Sequence, residues 1–197
     1  RLAKTTIGDP QIEGVRMGAL AGHEQVLEVR ERIEELLKTS ELVYGTMDKV
    51  VAQGAGTENG AFISPILLLN NDPFNNLSTH EIEAFGPVCT LLPYRTMDEA
   101  IEITKMGKGS LVCSMATYDD NMAKEFVLGA ASHHGRILIL NRDCAKESTG
   151  HGSPMPMLTH GGPGRAGGGE EMGGKRGVFH YMQRTSIQGS PTTLTRI

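Results

Sequence analysis

VCTLLPYRTMDEAIEITKMGKGSLVCSMATYDDNMAKEFVLGAASHHGRILIL, residues 88–140, alternates short apolar runs with stretches of helical period. Residues 88–92, 111–116 and 136–140 read as strands, rich in Val, Ile and Leu. After the first, Thr96-Met97-Asp98-Glu99 has the form of a capping box, a hydroxyl and a carboxylate three residues apart that serve orphan backbone donors. A helix therefore starts there and runs to about Lys105, ended by Gly107 and Gly109. After the second strand, Asp119 or Asp120 caps a helix to about Ser132, with Met122, Phe126, Val127 and Ala130 turned inward and Gly135 as its C′ residue. Three strands alternating with two helices is the βαβαβ pattern, which requires parallel strands with helices covering them, so the fold class is α/β. Ligands in such sheets collect beyond the carboxyl ends of the strands, and residues 141–151 leave one of those ends.

Immediately upstream lies His80-Glu81-Ile82-Glu83-Ala84-Phe85-Gly86-Pro87-Val88. Its acids alternate with apolar residues before Phe85-Gly86-Pro87 turns the chain into the first strand. A loop of this kind can offer a carboxylate to a ribose hydroxyl pair and an aromatic face to a flat ring. The plainer reading is a loop leading into a strand, with solvated acids. Further upstream, residues 23–38 place Val26, Val29, Ile33, Leu36 and Leu37 on one helical face, with Glu28–Arg32 and Glu34–Lys38 as i,i+4 pairs on the solvated side. Residues 42–44 form a short β-rich run, and Pro65 limits residues 61–69 to an edge strand or a strand entrance. Gly8-Asp9-Pro10 is a turn.

Downstream, residues 143–177 are a long loop of glycine, proline and histidine, beyond the usual ~12–15 residues of a structureless connection. A helix turn at 178–182 and a short strand at 184–188 follow. Gly162-Pro163-Gly164-Arg165-Ala166-Gly167 spells a dinucleotide fingerprint, but no strand precedes it. Residues 169–175 spell a phosphate loop, but Arg176 stands where a hydroxyl must hold magnesium. His133, His134, His151 and His160 lack the spacing of zinc ligands and read as loop and helix-end residues, so no metal site is expected. Cys144 follows a strand end and would need Lys146 or His151 to activate it as a nucleophile, whereas Cys89 and Cys113 read as buried strand residues.

With 197 residues, 39% hydrophobic and 21% charged, the chain can bury a core. A net charge of −4 and 5% aromatic content give neither the basic footprint nor the stacking platform of a nucleic-acid binder. No apolar run is long enough for a membrane span, and three scattered cysteines fit a reducing, cytoplasmic setting. The chain opens on Arg1 and is expected to be a piece of a longer polypeptide.

Several blocks carry a resemblance. Glu83-Ala84-Phe85-Gly86-Pro87-Val88, the Gly8-Asp9-Pro10 turn with Met17-Gly18-Ala19-Leu20, and Gly60-Ala61-Phe62-Ile63-Ser64-Pro65 resemble the aldehyde dehydrogenase superfamily, with Ala84, Ala19 and Ile66 as departures. The blocks at 145–154, 160–171 and 180–185 resemble the dehydrogenase part of the bifunctional enzymes of phenylacetate ring cleavage. The resemblance implies a three-layer αβα, open and mostly parallel sheet. Residues 1–183 would be part of a catalytic domain, and residues 184–197 an oligomerisation strand, added to a neighbouring subunit's sheet, and a tail. It also implies NADP or NAD as cofactor, held at its nicotinamide ribose by Glu83 and Phe85, and an aldehyde substrate, here a CoA-linked semialdehyde. The family's G-Q-x-C nucleophile motif does not occur in this sequence, so no catalytic residue is assigned to the chain and the isolated piece is expected to be inactive. A rival reading is a non-catalytic binding or oligomerisation module. A third is a CoA-binding module using Lys146, Arg165 and Lys175 on phosphates.

Overall fold

The computed structural model describes residues 1–48, 50–55, 60–144, 146, 158–168 and 182–197. They form two compact units, Arg1–Pro93 and Tyr94–Ile197.

In the first unit, helix α1 (His23–Leu36) carries the expected stripe: Val26, Val29, Ile33 and Leu36 are buried, packed with Ala61, Ile63, Ile66 and Leu68. Each fully covered aliphatic side chain contributes about 1.5–3 kcal/mol. An ion pair of this helix is Arg32–Glu35 at 3.1 Å, an i,i+3 contact, so Arg32 turns towards Glu35 rather than the expected Glu28. Strands β1 (Glu41–Tyr44), β2 (Ile66–Leu69) and β3 (Val88–Leu91) form a sheet in that order. β1 is antiparallel to β2, and β2 is parallel to β3 from Ile66↔Val88 to Leu69↔Leu91. Pro65 stands at the entrance of β2, where its missing N–H costs no ladder bond. The turn after β2 is closed by fully buried Asn70, whose Nδ2 donates to the Asn76 carbonyl and Thr79 Oγ1, both at 3.0 Å, while its Oδ1 accepts from the Asp72 N–H. The short helix α2 (Ser78–Glu81) then delivers the chain to residues 82–87.

In the second unit, α3 (Met97–Met106), β4 (Ser110–Ala116), α4 (Asp120–Ala130), β5 (His134–Leu140), β6 (Ser186–Gln188) and α5 (Pro191–Leu194) follow in order. Its sheet, β4-β5-β6, is parallel throughout. The Glu99 N–H donates to Thr96 Oγ1 at 3.2 Å, as the capping box requires, while the Glu99 carboxylate accepts from the Arg95 backbone N–H at 2.8 Å and its guanidinium at 2.6 Å. Those Arg95 bonds hold the Glu99 carboxyl below the usual carboxylate range. Asp119 caps α4 through the N–H groups of Asn121 and Met122. β5 is buried along nearly its whole length, as a central strand with an unbroken apolar run should be.

The α/β class stands, with three of the four ladders parallel. Three details differ from the sequence expectation. The three strands of residues 88–140 do not share one sheet: β3 makes its ladder with β2, and β4 opens the second sheet with β5. Gly135 does not end α4. A 3-10 turn at Ala131–His133 does, and Gly135 lies inside β5, where a Cβ would stand 2.0 Å from the Gly161 carbonyl oxygen. Met122 is 42% exposed, because Ala123 takes the inward position of the first turn. One edge of β6 pairs with β5 of its own chain, Arg136↔Ser186 to Leu138↔Gln188.

Candidate functional site

Residues 82–87 are shaped by the helix beside them. Ile82 and Ala84 pack on the core of the first unit, which sends the alternate side chains, Glu83 and Phe85, outward. Glu83 is exposed and Phe85 is 66% exposed. Gln25 of α1 donates from Nε2 to the Phe85 carbonyl at 2.7 Å and accepts the Ala21 N–H on Oε1 at 2.9 Å, tying the loop to the helix start. Gly86 sits against α1, where a Cβ would come 2.9 and 3.0 Å from the methyls of Val29. Two tight bonds, Gly86 N–H to the Ala84 carbonyl at 2.6 Å and Val88 N–H to the Gly86 carbonyl at 2.8 Å, fold the loop into β3. Glu83 lines a depression of about 410 Å³ with Leu36, Ile82, Val88 and Thr90.

Chemically, this is a carboxylate able to accept two hydroxyl hydrogen bonds at the rim of a shallow hollow lined by both polar and apolar groups, with an aromatic ring nearby in sequence and exposed. A ribose diol, whose hydroxyls would donate to the carboxylate, and a flat ring fit those groups. The residues stand at the amino-terminal entrance of β3, not beyond its carboxyl end. Sequence reading missed Gln25 and saw Val29 only as a core residue of the helix, not as a group that holds the loop. The glutamine bond spans 60 positions, and nothing local marks it.

The glycine motif at 162–167 behaves differently. Gly164–Ala166 is a 3-10 turn, and the run packs backbone on backbone: a Cβ on Gly109 would stand 2.0 Å from the Pro163 carbonyl oxygen, and one on Gly162 2.5 Å from that of Ser110. Gly162 and Gly164 serve close packing, and Gly167, at φ +70°, serves the turn. The phosphate-loop letters at 169–175 with Lys175, His151 and the helix turn at 178–181 lie outside the described residues.

The Cys144 thiol points at the carbonyls of Ile139 and Asn141, at 3.4 and 3.8 Å. Cys113 is half-buried in β4, and burial pushes its thiol up to about 11. Cys89 is exposed rather than buried, because β3 alternates its faces and turns this residue outward. His134 is buried, its Nδ1 2.5 Å from Ser110 Oγ. Burial, and secondarily the neighbouring His133, lowers its pKa. Among the described residues no helix is long and apolar enough to cross a membrane.

Comparison with known proteins adds the following. The model of the aldehyde dehydrogenase family matches residues 1–187. Protein MaoC of Klebsiella aerogenes is 50% identical over 183 residues, 92% of this chain and 52% of that protein. The 3,4-dehydroadipyl-CoA semialdehyde dehydrogenase of Aromatoleum evansii is 35% identical over 163 residues, 83% of this chain and 32% of that protein. The chain thus spans about half the length of the first and about a third of the second. Aldehyde dehydrogenase C of Pseudomonas syringae, a mutant solved with NAD+ and octanal, superposes with a TM-score of 0.64 at 24% identity, covering 84% of this chain and 30% of that one. A betaine aldehyde dehydrogenase point mutant of Staphylococcus aureus gives 0.68 at 19% identity, over 92% of this chain and 34% of that one. At those identities the two structures speak for the fold.

Proposed function

The chain belongs to the aldehyde dehydrogenase family, and from that premise we propose that it is part of an NAD(P)-dependent enzyme that oxidises a CoA-linked semialdehyde of phenylacetate breakdown to the acid. The observation that carries the reading is the outward pair Glu83 and Phe85, held by Gln25 and by the close approach of Gly86 to Val29, with Glu83 lining a depression beside the loop. The nicotinamide, when bound, supplies the hydride acceptor. Glu83 would accept hydrogen bonds from its ribose hydroxyls, and Phe85 would offer a ring face to the flat base. The relative named for a CoA-linked semialdehyde, 35% identical, supports that substrate class.

The nucleophile and general base belong to parts of the parent protein other than these residues, so the 197-residue chain by itself does not turn over. Residues 1–183 act as part of the catalytic domain. The strand within residues 184–197 serves self-association as a homodimer, through the edge of β6 away from β5. Three free thiols are in keeping with a cytoplasmic protein.

The test is an assay of the complete protein with a CoA-linked semialdehyde and either NADP or NAD. Reduction of one or both cofactors is expected. No reduction with any aldehyde offered would contradict the reading, and so would turnover by the isolated 197-residue chain at a rate near that of a complete family enzyme.

A further inference from the structure

The carboxyl ends of β4, β5 and β6 are where a parallel sheet opens its crevice to ligands. Here residues 189–197 lie across that edge. They follow the stretch matched by the family model, which ends at residue 187. Ser190 and Thr193 are each only 3% exposed, although both are polar. Ser190 caps α5, accepting the Thr193 N–H at 3.4 Å, and its hydroxyl bonds Thr193 Oγ1 at 3.0 Å. Pro191 supplies the first helical position, where no N–H is needed. Ile197 packs on the core of the unit, and the Arg196 guanidinium meets the Asp120 carboxylate at 2.5 Å, in the first turn of α4.

One side chain joins this tail to the loop after β5. Asn141 Nδ2 donates to Ser190 Oγ at 3.3 Å and to Thr193 Oγ1 at 3.1 Å, while its Oδ1 accepts the N–H groups of Asp143 at 3.0 Å and Cys144 at 3.3 Å. Both amide donors go to the tail and both acceptor positions to the loop, which uses the full capacity of an asparagine. A carboxamide so divided cannot lose one set of partners and keep the other geometry fixed. The half-buried Cys144 thiol, turned inward to the carbonyls of Ile139 and Asn141, depends on the same loop shape.

We propose that residues 189–197 are a latch on the carboxyl edge of the β4-β5-β6 sheet, coupled through Asn141 to the loop of residues 142–144. With the latch docked, the loop is fixed and the edge is closed. With the latch released, the Asn141 amide turns to solvent, the N–H groups of Asp143 and Cys144 lose their acceptor, and the edge opens. The inference does not depend on the proposed reaction.

The test uses alkylation by iodoacetamide in the 197-residue chain, resolved to each cysteine by mass spectrometry, alongside hydrogen exchange of residues 190–197. Exposed Cys89 serves as the internal control. Thr193→Val, which keeps the shape and removes the hydroxyl, is expected to speed tail exchange and to raise the Cys144 rate roughly tenfold, as loss of one buried hydrogen bond allows, with Cys89 unmoved. Arg196→Gln loosens the tail from the solvent side without touching the buried hydroxyls, and a smaller rise in the same direction is expected. A Cys144 rate that stays constant while the tail exchanges faster overturns the coupling. Unchanged tail exchange in both variants overturns the latch. A parallel rise at Cys144 and the half-buried Cys113 in the Arg196→Gln chain would report general unfolding and overturn it as well.

Discussion

The loop at residues 82–87 and the glycine run at 161–167 look alike as strings, each a few residues with glycine and proline beside a strand. They do opposite things. In the first, one glycine lets α1 come close, and the side chains on either side, Glu83 and Phe85, are left facing out. In the second, Gly161, Gly162 and Gly164 are consumed by contact with the backbones of residues 108–110 and 135, and the exposed side chain of the motif is Arg165. A motif carries function when its backbone is anchored and its side chains are not. It carries packing when the backbone itself is the contact.

The contrast can be broken most readily at Gly109, whose φ is +117° and whose Cβ would meet a carbonyl 2.0 Å away. Gly109→Ala is expected to cost about 3 kcal/mol or more in urea unfolding, from clash and backbone strain together. A cost under ~0.5 kcal/mol, the size of an ordinary surface change, would show that the backbones there can separate. Gly86→Ala meets side-chain methyls instead, and about 1–3 kcal/mol is expected. Combining it with Val29→Ala should give a double variant less destabilised than the two single costs added together, and strict additivity would deny the contact.

His134, beside Gly135, gives a pH-dependent measure of the second region. Its folded pKa lies below the unfolded value of 6.5, so the unfolded chain binds the proton first. Stability is full above that pH and falls as pH drops from 6.5 towards the folded pKa. His134→Gln should flatten that slope, and a slope that survives the substitution assigns it to other groups. The smallest effect belongs to Gly107, where a Cβ meets nothing within 4 Å and the backbone is right-handed helical. Gly107→Ala should be neutral or stabilising by up to ~1 kcal/mol, read from the same urea midpoints.

Much of this was readable in the sequence where the determinants are local. The stripe of α1, the box at Thr96 and the cap at Asp119 each rest on contacts within a turn of helix. The outward placement of Glu83 and Phe85 followed from their alternation with Ile82 and Ala84. What escaped depends on distant chain. Parallel partners carry no mark in their own letters, so β3 gave no sign that it would pair with β2. Gly135 follows a helix and has the look of its terminator, until the Gly161 backbone arrives against it from further along the chain. Asn141 reads as a strand-end turn residue, and only the folded tail shows both of its faces in use.

The account rests on the outward carboxylate at residue 83. Its most direct test is Glu83→Gln in the complete protein, with single-turnover hydride transfer and cofactor affinity measured separately. Transfer slowed on the order of 10-fold or more, with the cofactor dissociation constant nearly unchanged, is the expected result for a group that orients rather than merely binds. Unaltered transfer kinetics would contradict the assignment of Glu83 to the nicotinamide ribose.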